Sequence, residues 1–166
     1  MRKILATLFA ALLAIGIPAT AASATDTTIH DPCTCMVYKA GDNTAWAAGE
    51  RFVDRGNWAT FTQYGGVGKT VPLLAGKKHK AGVVGFFPAG DKVLIHIRLY
   101  EGAAFADGDA VKIEAYESYE AIPKENPSPG HFMYKEDPSD PADPLHFDIL
   151  VDKAAYYAVH VDVVAG

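Results

Sequence analysis

Four stretches of the chain alternate apolar and polar side chains with a period of two. In 93–100, Val93, Ile95, Ile97 and Leu99 share one side and His96 and Arg98 the other. In 111–116, Val111, Ile113 and Ala115 alternate with Lys112, Glu114 and Tyr116; in 146–152, Phe147, Ile149 and Val151 alternate with His146, Asp148 and Asp152. From 157 to 163, Tyr157, Val159, Val161 and Val163 alternate with Ala158, His160 and Asp162. Successive side chains of an extended strand point to opposite faces, so each stretch predicts a half-buried strand. Residues 81–87 are apolar on both faces and predict a central strand. Residues 58–64 and 70–75 are strand-like, and Pro72 places the second at a sheet edge or at a bulge. Turn residues punctuate the runs at 64–66, 88–91 and 107–109.

Short strands separated by turns about every ten residues predict an all-β, antiparallel fold. The first expectation is a β-sandwich, Ig-like or jelly-roll-like; a partly closed β-barrel is the alternative. Residues 120–144 break the rhythm. Pro123, Pro127, Pro129, Pro138, Pro141 and Pro144 each lack a backbone donor, so the segment reads as a long ordered loop without regular pairing. Three residues, Lys153 to Ala155, separate the last two strands. Joined as a hairpin, these strands would pair Asp148 with His160 and His146 with Asp162 on the polar face.

The beginning of the chain follows another pattern. Met1-Arg2-Lys3 is positive, Ile4–Ile17 is uncharged and almost wholly apolar, Pro18 breaks it, and Ala22-Ser23-Ala24 supplies small residues. That order is a secretory signal over 1–24, leaving a single domain over 25–166. The apolar run falls short of the roughly 20 residues a membrane-spanning helix needs, so no membrane span is expected after cleavage. The reading is a secreted or periplasmic protein. Removing Arg2 and Lys3 leaves 13 basic residues against 20 acidic. An acidic domain of this kind is a poor partner for nucleic acid or anionic lipid, so no nucleic acid is expected.

Candidate chemistry is sparse. There is no Gly-x-Ser-x-Gly, no His-Glu-x-x-His, and Gly65–Thr70 lacks the leading glycine of a phosphate loop. The mature serines, Ser118, Ser128 and Ser139, all fall in or beside the proline-rich segment, away from any rigid strand. No enzyme is expected. Thiolate, imidazole and carboxylate are metal ligands, which makes His30, Cys33 and Cys35 one candidate divalent-metal cluster and His146, Asp148, His160 and Asp162 a second. Cys33 and Cys35 remain open between a disulfide within or between chains, free thiols, and metal ligation. Glu136, Asp137, Asp140 and Asp143 bring carboxylates together but lack the ligand spacing of a calcium loop. The expectation is a protein without a required cofactor. Its many aromatic residues suit contacts with a protein or with cell-surface carbohydrate.

The stretches Thr44-Ala45-Trp46-Ala47-Ala48-Gly49 and Gly56-Asn57-Trp58-Ala59-Thr60-Phe61, with Leu74-Ala75-Gly76 and Pro127-Ser128-Pro129-Gly130-His131-Phe132 after them, resemble uncharacterised secreted bacterial β-sandwich modules. The resemblance spans about residues 44–132 and implies export and an all-β fold. It implies no activity.

Overall fold

The computed structural model describes residues 41–138 and 140–165, all within the compact unit Pro32–Gly166. Residues 1–24, read above as a signal, and His30, Cys33 and Cys35 lie outside the described residues. Among the described residues eleven strands form: β1 (Gly41–Ala47), β2 (Glu50–Arg51), β3 (Thr60–Gln63), β4 (Lys69–Ala75), β5 (His79–Ala89), β6 (Lys92–Leu99), β7 (Ala103–Phe105), β8 (Val111–Tyr116), β9 (Tyr134–Glu136), β10 (His146–Asp152) and β11 (Tyr156–Ala165). Every pairing among them is antiparallel. The all-β class is as the alternation requires.

Of the two architectures, the chain takes the partly closed barrel. One sheet runs β10-β6-β5-β4-β1-β11, and β11 then pairs β8 and β7 along its other edge, with β9 outside β8. β3 pairs the start of β11, at Tyr156 and Tyr157. The sheet curls until its two ends meet through a side chain. Tyr134 on β9 donates its hydroxyl to the Asp152 carboxylate on β10 (2.8 Å) and accepts the Asp152 backbone N–H (2.9 Å). Lys92 on β6 holds the other carboxylate oxygen at 2.5 Å. The Lys92 hydrogen bond, reinforced by Tyr134, keeps the Asp152 carboxyl below its ordinary range.

The inward-facing residues of the alternating stretches fill the barrel. Val93, Ile95 and Ile97 of β6, Ile113 of β8, Val151 of β10 and Val159, Val161 and Val163 of β11 are all fully or almost fully buried in one cluster. A second cluster lies on the outer face, where Trp46, Phe52, Phe61, Tyr116, Ile122, Phe132 and Ala158 pack together. The segments around Phe52 and Ile122–Phe132 lie over β1, β8 and β11 like a lid, so β11 is buried on both faces. Alternation on β11 therefore did not mean that its polar side met water.

Two expectations are corrected. β10 and β11 do not form a hairpin: β10 pairs β6, with Asp148 opposite His96 and His146 opposite Arg98. Their short connection crosses from the sheet edge to its centre. It is held by Tyr157, whose hydroxyl donates to the Asp152 carbonyl (2.9 Å) and accepts from the Ala154 N–H (2.7 Å). Residues 120–144 are also not free of pairing. Residues 130–137 contain no proline, and β9 uses three of them to pair β8. Pro72 behaves as its missing donor requires, lying next to the bulge at Leu73/Leu74 and just beyond the part of β4 that β1 pairs.

Gly82 in β5 lies close against the backbone of β6. A Cβ there would sit 2.2 Å from the Arg98 carbonyl oxygen and 2.9 Å from the Leu99 Cα, both backbone atoms of the neighbouring strand. Gly82→Ala is expected to destabilise the protein by about 1–3 kcal/mol, the usual cost of overpacking. Chemical unfolding checks this; a variant within 0.5 kcal/mol of the parent would show that β6 yields freely.

Candidate functional site

Two places on the outside of the barrel gather chemically useful side chains. The first grows from the β6–β10 pairing. Positions 96, 98, 146 and 148 all face outward because their neighbours Ile95, Ile97 and Phe147 face the core. Direct opposition brings the Asp148 carboxylate to His96 Nδ1 at 2.5 Å. Asp143 and His146 are joined by a turn, closed by the His146 N–H donating to the Asp143 carbonyl (3.3 Å), and the His146 Nδ1 binds the Asp143 carboxylate. The two imidazoles stand 5.8 Å apart between centroids with planes 28° from parallel. Beside them a cavity of about 580 Å³ opens, lined by Asp137, Asp140, Asp143 and Pro141 with His146 and Asp148.

The structure thus splits the four expected hairpin residues. His146 and Asp148 stay together but find His96 and Asp143 as partners. His160 and Asp162 lie on β11, in a different setting. Asp162 binds the Lys112 ammonium at 2.5 Å. His160 is only 5% exposed, its ring set edge-on to Trp46 at 4.9 Å, and its Nε2 is 3.7 Å from Asp162. Its Nδ1 is buried without a partner. Burial pushes the imidazole down to about 4; Asp162 opposes that shift and Lys112 adds to it. Among the described residues, no three His, Cys, Asp or Glu side chains form a ready cage for a metal ion.

The second place lies at the rim of the outer aromatic cluster. A cavity of about 680 Å³ is lined by Glu50, Arg51, Asp54, Phe61, Tyr119 and Lys124, among others. Tyr119 is 52% exposed. It begins a short 3₁₀ turn, Tyr119–Ala121, and its ring is fixed edge-on to Phe61 (6.1 Å) and Tyr156 (5.9 Å). Its hydroxyl donates to the Glu50 carboxylate at 2.8 Å, and that bond raises the phenol above its ordinary value. Arg51 spends one guanidinium nitrogen on the Asp54 carbonyl (2.6 Å), while its Nε is buried with no partner. In the sequence Tyr119 is one aromatic among many. Glu50 and Arg51 sit in a strand of two residues, too short to give any periodic signal.

Most other rings are structural. Trp46, Tyr64, Tyr116 and Tyr157 are all buried, and burial drives the Tyr116 and Tyr157 phenols up to about 12. Comparison with protein-family models, with curated proteins and with solved structures finds no match to this chain.

Proposed function

We propose that this protein is an exported, non-catalytic binding module that takes a carbohydrate in the cavity beside Tyr119. The supporting observation is the pairing of a half-exposed, immobilised aromatic ring with planar charged groups around one cavity. An aromatic ring offers an apolar face for the C–H side of a sugar, held in place beforehand by Phe61 and Tyr156. Carboxylate and guanidinium groups supply acceptors and donors for hydroxyls. The lining carries Glu50, Asp54 and Glu120 against Arg51 and Lys124. This mixed rim favours a neutral polyhydroxylated ligand over a strongly charged one. A volume near 680 Å³ suits one or two sugar rings.

The export reading rests on the order of charge, apolar run and small residues in 1–24. It predicts that protein recovered from outside the cytoplasm begins at Thr25, which intact-mass measurement reads directly. Binding is tested on a panel of immobilised bacterial glycans. Tyr119→Ala should weaken capture about tenfold or more, as expected for the central aromatic of a site. Tyr119→Phe, which keeps the ring and loses only the Glu50 bond, should retain most of it. Equal binding by the parent and Tyr119→Ala, or capture of peptides alone, would overturn the carbohydrate reading.

A further inference from the structure

The geometry points to a surface copper(II)-class metal site built from His96 and His146, separate from the Tyr119 cavity. A carboxylate only accepts hydrogen bonds. Asp148 at His96 Nδ1 and Asp143 at His146 Nδ1 therefore fix the ring proton on Nδ1 of each neutral imidazole. The lone pair is left on Nε2. This is the carboxylate–histidine arrangement by which proteins set the tautomer, orient the ring and raise the basicity of a metal-ligating imidazole. It occurs here twice, on two rings of one face.

The spacing agrees with a shared ion. With a metal–nitrogen distance of about 2.0–2.1 Å and about 1.1 Å from nitrogen to ring centre, each centroid lies about 3.2 Å from the metal, so two rings on one ion stand between about 4.5 Å apart at a right angle and about 6.4 Å apart when opposite. The observed separation is 5.8 Å. The two histidines come from adjacent strands at diagonal positions of a fixed register, so the spacing is set by the sheet and not by a loop. Charge is also in favour. Arg98 shares this face opposite His146, but Asp143 and Asp148 outnumber it, and Asp137 and Asp140 line the adjoining cavity. The cavity reaches the site on its His146 side. Imidazole ligands select zinc, nickel and copper over magnesium or calcium, and copper(II) binds most tightly within the series. Neither His160 nor Asp162 takes part.

The test uses copper(II) sulfate with the purified protein carrying His30→Ala, Cys33→Ser and Cys35→Ser, which removes the sulfur and imidazole of these three residues as competing ligands. Calorimetric titration should give one copper per chain, and magnesium chloride should give no heat. Electron paramagnetic resonance should show coupling to two imidazole nitrogens. His96→Ala and His146→Ala should each weaken binding tenfold or more. Asp148→Asn should do so by about tenfold, the usual effect of removing a partner that orients a ligand. Melting temperatures in EDTA report folding; where an alanine variant unfolds, His96→Asn and His146→Asn serve instead. Affinity weaker than about 100 µM, loss of copper binding in the His30/Cys33/Cys35 background alone, or retention of full affinity in both histidine variants would each overturn the site.

Discussion

Replacing Tyr157 by Ala is expected to lower the unfolding free energy by about 3–5 kcal/mol, the range for deleting a fully buried large aromatic. Tyr157 has no exposed surface. Its ring reaches from β11 across the barrel interior to stack on Phe86 of β5, at 5.8 Å and 27°, and meets Tyr64 edge-on at 6.0 Å. Its hydroxyl serves the backbone at the crossing between β10 and β11, accepting from Ala154 and donating to Asp152. Tyr157→Phe separates these roles. It keeps the ring and strands a buried N–H and a carbonyl, so it is expected to cost about 1–3 kcal/mol. Small domains are stable by only about 5–15 kcal/mol, so the Ala variant should show a large fall in urea midpoint, and the Phe variant a smaller one at unchanged slope. A Phe variant as stable as the parent would mean that the crossing finds other hydrogen bonds and that Tyr157 acts only by filling space.

The same residue shows why the sequence revealed the strands and not their partners. Alternation is a local property, and it located β6, β8, β10 and β11 within a residue or two. Pairing is not local. Three residues between β10 and β11 look like a hairpin loop, yet the Tyr157 hydroxyl offers the turning backbone the bonds that let it leave for the centre of the sheet. The candidate site inherits that choice. His146 and Asp148 were legible as a polar face, but their partners His96 and Asp143 follow from the β6–β10 register and a proline-bounded turn. Glu50, Arg51 and Tyr119 were not legible as a group, because 69 residues separate Tyr119 from Glu50 and neither lies in a periodic stretch. His160 misled in the opposite way. Its position in the alternation is that of a solvated residue, but Trp46 and Phe132, which pack against each other at 6.2 Å, belong to the cover that shuts water out.

That cover makes His160 a source of acid sensitivity. Its imidazole titrates near 4 in the folded protein, chiefly because burial disfavours the cation, whereas an unfolded histidine titrates near 6.5. Between these values the unfolded chain takes up a proton that the folded chain refuses. The stabilisation is therefore complete above about pH 6.5, drains away as the pH falls toward 4, and changes no further below that. The full difference is about 3 kcal/mol. Asp162, 3.7 Å from Nε2, softens the effect and is itself engaged by Lys112, so it cannot turn fully to the imidazolium. Urea unfolding at pH 7.5, 6, 5 and 4 should show the parent losing stability faster than His160→Leu, with the gap between the two changing by about 3 kcal/mol over the series. Exposed histidines and carboxylates are common to both proteins and cancel in that comparison. Parallel curves would show that His160 accepts its proton in place, with the outer aromatic cluster opening to water before the barrel does.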